Sequence, residues 1–260
     1  MHWNADPILF SLGSLSIRWY GLFFASAFLA GIYIMKSIYR EEGLKEEKVD
    51  DLLIYMMLGT VIGARLGHVL FYDPSYYFSH PLAILKIWEG GLASHGGSIG
   101  ILLAVFLYCK KHEPNGSIWL LDRLSIPLIL AAGLIRMGNF FNSEIVGITS
   151  TAPWAIVFER VDSLARHPVQ LYESLSYFMI FVVLLFIYRK YRGSLATGSM
   201  FGIFLISSFS ARFFLETFKI RQAEYGHENL LSVGQWLSIP FIIAGVALLM
   251  RNRSSSQKTH

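Results

Sequence analysis

Along this chain apolar residues come in long blocks, and the segments between the blocks hold most of the charge. Seven blocks approach the roughly 20 residues that a helix needs to cross a bilayer. They run approximately 17–35, 50–71, 96–109, 117–135, 169–188, 197–216 and 230–250, the third being short and opening in glycine-rich sequence. The pattern predicts an all-α, polytopic membrane protein with seven transmembrane helices. It reads as one integral membrane domain over 1–260, with a polar external region at about 136–168. Ser254–His260 forms a biased tail, and no internal repeat of the transporter kind stands out.

Composition agrees. Hydrophobic residues make up 54% of the chain and charged residues 15%, against about 25% charged in ordinary globular domains. Twenty Phe, 13 Tyr and 6 Trp suit a lipid core and its interfaces. A soluble enzyme, a disordered chain and a secreted disulfide scaffold are excluded. Cys109 is the sole cysteine and has no internal partner.

The net charge of +4 does not point to nucleic acid, because no basic patch interleaves with aromatics on a polar surface. Lys36, Arg40, Lys45 and Lys48, then Lys110 and Lys111, then Arg189, Lys190 and Arg192, then Arg251, Arg253 and Lys258 fall in alternate segments. That places 12 of the 22 Lys and Arg residues on one side. By the positive-inside rule this side is cytoplasmic, so the N-terminus is out and the C-terminus in. The N-terminus has no basic n-region before its first apolar run, so no cleavable signal peptide is expected.

Charge inside a span is costly, at least about 2.5–3.5 kcal/mol at mid-membrane, which singles out a few residues. Arg65 and His68 share a face of the second span, with Gly59, Gly63 and Gly67 repeating every four residues beside them. Arg65 is either a structural charge paired inside the bundle or a substrate contact. Arg212 and Glu216 are four apart and can meet as an ion pair. Asp122 and Arg123 read as interfacial anchors.

The segments on the outer side are denser in chemistry. Gly90, Gly91, Gly96, Gly97 and Gly100 surround His95 at the start of the third span. Such glycines either let backbone approach a ligand or pack helices closely; the imidazole titrates near working pH. Arg136, Asn139, Asn142, Glu144 and Gly147 follow at the end of the fourth span. If that helix continues, Arg136 and Asn139 share a face, and an Arg fork matches phosphate oxygens. His167-Pro168 opens the fifth span, with Gln170 and Glu173 one turn apart. His167 is either an anchor or a catalytic group. Tyr20 sits at the edge of the first span beside Trp19, a belt residue.

These blocks resemble one family, the bacterial prolipoprotein diacylglyceryl transferases, over essentially the whole chain. The run Arg136-x-Gly-Asn139-Phe-x-Asn142-x-Glu144-x-x-Gly147 is similar to the family signature without a gap. Gly90–Gly100 with His95, His167-Pro-x-Gln-Leu-Tyr-Glu173, Arg212-Phe-Phe-Leu-Glu216 and Gly234-Gln-Trp-Leu-Ser-Ile-Pro240 resemble further blocks in order.

The resemblance implies transfer of the sn-1,2-diacylglyceryl group of phosphatidylglycerol to the lipobox cysteine thiol of a prolipoprotein. A thioether forms and glycerol 1-phosphate leaves, with no cofactor and no metal. The implied partners are phosphatidylglycerol, the prolipoprotein signal peptide and membrane lipids. The implied location is the bacterial inner membrane, with the active site toward the outer, periplasmic face. Carried over, the roles are a base for His95, headgroup binding for Arg136 and Asn139, and orientation or headgroup hydroxyls for Glu144. Gly147 belongs to the same binding block. Arg212, oriented by Glu216, meets the leaving group or the incoming peptide, and Tyr20 hydrogen-bonds in the cavity. The family often has a tyrosine four residues before this Arg; here the position is Ser208, and no role is carried to it.

Two rival readings remain from the sequence. One is a transporter or binding protein for an anionic lipid, which would also need intramembrane Arg residues. The other is a lipid-binding scaffold that dimerises through Gly59, Gly63 and Gly67.

Overall fold

The computed structural model describes residues 1–13, 15–87, 90, 91, 93–220 and 231–256, with all side chains there except those of Leu15, Ser94, His95 and 252–256. The protein is mostly helical. Its helices are α1 (Trp19–Glu41), α2 (Glu47–Phe71), α3 (Pro74–Ser79), α4 (Ser94–His112), α5 (Ser117–Phe141), α6 (Val169–Tyr191), α7 (Ser199–Leu215) and α8 (Val233–Ser256). Among the described residues six of them, α1, α2, α5, α6, α7 and α8, are long and apolar enough to cross a membrane. This is a polytopic membrane protein.

The third apolar block is a helix too, α4, but it falls outside those six. Its 19 residues begin with Ser94, His95, Gly96 and Gly97 and end with Lys110, Lys111 and His112, which leaves a short apolar centre.

The expected all-α class needs correction. Five short strands are present: β1 (His2–Trp3), β2 (Ile8–Leu12), β3 (Leu15–Arg18), β4 (Ile156–Phe158) and β5 (Ala165–Arg166). Two-residue to five-residue strands carry no readable period of two. One pairing also joins residues far apart in sequence, since β1 runs parallel to β4 with His2 opposite Val157. β4 pairs antiparallel with β5, and β2 with β3.

The chain divides into two compact units, 35–120 and the remainder. In the first, α2 packs on α4 through small residues. A Cβ on Gly63 would stand 2.4 Å from the Gly96 carbonyl oxygen, and one on Gly100 would stand 2.0 Å from that of Gly59. Gly59, Gly63 and Gly67 on α2 and Gly96 and Gly100 on α4 therefore join two helices of one chain. They are not a free dimerisation stripe, and Gly96 and Gly100 are packing glycines, not a ligand cradle. Arg65 is buried here and donates only to main-chain carbonyls: Ala83, Ile84, Lys86, Gly90 and Gly91. It is a structural charge.

In the second unit α7 packs against α6 and α8. Asp122, expected as an interfacial anchor, is buried and caps α7 from α5. Its carboxylate accepts from the Gly198 N–H at 2.6 Å and the Phe201 N–H at 2.8 Å. Gly198 has φ +96°, which suits a glycine. The start of α8 is closed by Ser232 and Gln235, each side chain accepting from the other's backbone N–H. β4 brings Ile156 and Phe158 into a cluster with Phe140 and Val146, against which Trp3 of β1, Phe141 and Leu171 pack.

Candidate active site

α5 runs past the apolar block that announced it and ends at Phe141, so Arg136 and Asn139 are helical and one turn apart. The Arg136 Nη1 donates to Asn139 Oδ1 at 3.2 Å, and Asn139 Nδ2 donates to Glu144 Oε2 at 3.2 Å. Asn142 Nδ2 reaches the other Glu144 oxygen at 3.1 Å. The turn that makes this possible is strained: Ser143 and Ile145, on either side of Glu144, have φ of 55° and 56°. Left-handed backbone is rare for a β-branched residue and clusters at functional sites. Gln170 of α6 is fully buried and donates to the Glu144 carbonyl at 2.7 Å, which ties the turn to the next helix.

Beneath these amides lies an ion-pair chain. Glu173, one turn beyond Gln170, is fully buried. Its carboxylate stands 3.0 Å from Arg136 Nε and 2.8 Å from Lys219 Nζ. Lys219 also reaches Glu216 at 3.2 Å. Glu216 rests on the first turn of α8, where a Cβ on Gly234 would meet its Oε1 at 2.3 Å. The expected Arg212–Glu216 pair is therefore absent. Lys219, three residues on, takes the carboxylate because Glu216–Phe218 is a tighter 3-10 turn in which i and i+3 eclipse.

Arg212, at the end of α7, has no ion-pair partner among the described residues. It lies within electrostatic range of Tyr177, as do Arg136 and Glu173. Three cations, Arg136, Lys219 and Arg212, thus gather at one end of α5, α6 and α7, and among the described residues Arg212 has no ion-pair partner.

Gly147 is wedged where three segments meet. A Cβ there would stand 2.5 Å from the His167 carbonyl oxygen and 2.7 Å from that of Phe218. Its own N–H donates to His167 O at 3.1 Å, and its carbonyl accepts from Arg166 Nη1 at 3.2 Å. Asp162 grips Arg166 through a short hydrogen bond of 2.5 Å. That guanidinium holds the Asp162 carboxyl below the usual range, and the Asp162 carboxylate raises the Arg166 pKa in turn. Tyr20 packs against α5 at Gly138, where a Cβ would stand 2.8 Å from its ring.

His167 accepts or donates to the Tyr172 hydroxyl at 3.1 Å, and Trp154 donates to the same hydroxyl at 2.7 Å. This is an anchoring trio. Ser208 donates its hydroxyl back to Phe204 O within α7. His95 stands in the first turn of α4, and its side chain lies outside the described residues.

A family model described as prolipoprotein diacylglyceryl transferase matches residues 7–251. The chain belongs to that family. The phosphatidylglycerol–prolipoprotein diacylglyceryl transferase of Tolumonas auensis is 55% identical over 250 residues, which covers 96% of each chain. That of Chloroherpeton thalassium is 53% identical over 98% of this chain and 95% of its own. The enzyme of the same name from Bacteroides fragilis is 41% identical over 95% and 93%.

In this prolipoprotein diacylglyceryl transferase two members of the cluster, Glu173 and Lys219, have no role assigned by sequence. Spacing puts Glu173 on a face with Gln170 but does not show that two cations converge on it. By sequence alone Lys219 is one charge in the segment after the sixth apolar block. An Arg-x6-Lys spacing carries no signal, because the break of α7 at Glu216 decides where Lys219 points.

Proposed function

We propose that the protein transfers the sn-1,2-diacylglyceryl group of phosphatidylglycerol to the lipobox cysteine thiol of prolipoproteins. The observation that carries this reading is Arg212, without an ion-pair partner among the described residues, beside the paired Arg136 and Lys219. The substrate is a phosphodiester with one negative charge, and the leaving glycerol 1-phosphate is a monoester that gains a second. A site poised for that change needs cationic charge already neutralised in the resting state and one cation in reserve.

In this reading Arg136 and Asn139 hold the headgroup phosphate, and Arg212 takes up the charge that develops as the carbon–oxygen bond breaks. Glu144 meets the headgroup hydroxyls. Gln170 Oε1 and Asn142 Oδ1, buried and without a hydrogen-bond partner among the described residues, are spare acceptors beside it. Glu216 acts through Lys219, and Gly147 keeps the turn narrow. Tyr20 lines the same end of α5.

The thiol, with a pKa near 8.5 in the free amino acid, loses its proton to His95. The thiolate attacks the glyceryl C3, the C–S bond forms, and the C3–O bond to phosphate breaks. Four parts of the reading rest on the sequence: seven spans with α4 as the third, N-terminus out, a single membrane domain of the bacterial inner membrane, and a site toward its outer face.

The test is release of glycerol phosphate by purified protein in phosphatidylglycerol vesicles. It should rise in proportion to added prolipoprotein and require the lipobox cysteine. Release independent of prolipoprotein would overturn the reading.

A further inference from the structure

Arg65 spends its whole guanidinium on backbone carbonyls. Nε donates to Ile84 O at 2.8 Å, Nη1 to Gly90 O at 2.5 Å and Gly91 O at 3.0 Å, and Nη2 to Ala83 O at 2.5 Å and Lys86 O at 3.3 Å. A guanidinium has five N–H donors, so none is left for a phosphate oxygen. Among the described residues no carboxylate pairs with it, and the Tyr77 ring lies 4.9 Å from its Cζ. Gly91, with φ +71°, is seated directly on it: a Cβ there would stand 2.7 Å from Arg65 Nη1 and 2.7 Å from the His68 ring.

Arg65 is six residues short of the end of α2 at Phe71. The chain that leaves Phe71 through α3 and the 3-10 turn Pro81–Leu85 therefore comes back down along α2. It is clamped there by the Ala93 N–H on Ala64 O at 2.9 Å, and Gly96 then packs on Gly63 and Gly67. At 1.5 Å per residue, Ala64 and Gly67 lie roughly 6–10 Å below the end of α2. Irregular backbone at such depth survives only where its polar groups are satisfied by protein, and Arg65 supplies five donors for that purpose. The same descent explains why α4 is short.

We propose that Arg65 is a positioning residue: it holds the main chain of 83, 84, 86, 90 and 91 re-entrant along α2, so that α4, with His95 in its first turn, starts inside the outer half of the bilayer, not at its surface, given the N-terminus-out orientation of the proposed reading. The catalytic consequence rests on the reading of His95 as the base. The reacting carbon of phosphatidylglycerol lies below the headgroup, and a base delivered at that depth meets the thiol there.

The test uses the full chain in phosphatidylglycerol vesicles, with Cys109→Ala as background and spin labels at Ile99→Cys on α4 and Phe71→Cys at the end of α2. Collision with oxygen against a water-soluble nickel chelate gives depth. The label at 99 should lie well below the one at 71 and should move toward water in Arg65→Lys. In an unlabelled series, Arg65→Lys should lower kcat about 100-fold, as expected for a displaced catalytic group, with KM for phosphatidylglycerol within about twofold. Gly91→Ala keeps the arginine but unseats the turn; it should reproduce both effects if Arg65→Lys fails to fold.

Unchanged depth and kcat in both variants would overturn the proposal. So would a raised KM with kcat kept, the signature of headgroup binding. His95→Gln belongs in the same series: full transfer there removes the base assignment while the depth result still stands or falls by itself.

Discussion

One buried carboxylate, that of Glu173, lies between two cations, 3.0 Å from Arg136 Nε and 2.8 Å from Lys219 Nζ. It joins α5, α6 and the segment after α7 in a single contact. Removing one member of a buried pair costs about 3–5 kcal/mol, because it strands the others in low dielectric. Glu173→Gln should therefore lower the thermal unfolding midpoint in detergent and abolish transfer. A midpoint equal to that of the wild type would show that the two ion pairs do not hold these helices.

Arg212 predicts the opposite split. No ion pair among the described residues is broken by Arg212→Ala, so the variant should insert and unfold as the wild type does. Transfer should fall about 100–1000-fold, the usual loss when a donor to developing negative charge is deleted. Near-normal transfer, or a large loss of stability, would contradict the assignment.

How much of this the residues announced depends on the range of the interaction. The long apolar blocks gave the membrane helices, because lipid imposes length and hydropathy locally. Arg136, Asn139 and Glu144 were legible as a group because they sit within nine residues and a helix brings i and i+3 together. The pairing of Glu216 with Lys219, the burial of Glu173 and the capping of α7 by Asp122 were not legible. Each is decided by where another helix arrives, and sequence spacing does not carry that. The glycines of α2 and α4 were visible as packing residues, but their partner was not.

Ser143 carries left-handed backbone, and its hydroxyl is buried without a hydrogen-bond partner among the described residues. Glycine tolerates that φ, for which other residues give up about 1–2 kcal/mol. Ser143→Gly should leave stability unchanged or raise it by about that amount, read from thermal unfolding. A marked fall would mean that the serine hydroxyl has a partner essential to the turn.

The Asp162–Arg166 pair gives a pH dependence. The Asp162 pKa is lowered in the folded protein, so its contribution is fully present above the unfolded value near 3.9 and is lost as pH falls through the folded value. At pH 7 Asp162→Asn should unfold at a slightly lower temperature than the wild type, and the gap should close as pH falls below about 4. A gap that is constant with pH would assign the effect to packing.

The central claim is the reaction itself. Purified protein, phosphatidylglycerol and a synthetic lipobox peptide should give, by mass spectrometry, a diacylglyceryl adduct on the peptide cysteine. A Cys→Ser peptide should stay unmodified, and glycerol phosphate should appear in equal amount. Folded protein that binds phosphatidylglycerol but yields no adduct would contradict the account and favour an anionic-lipid transporter.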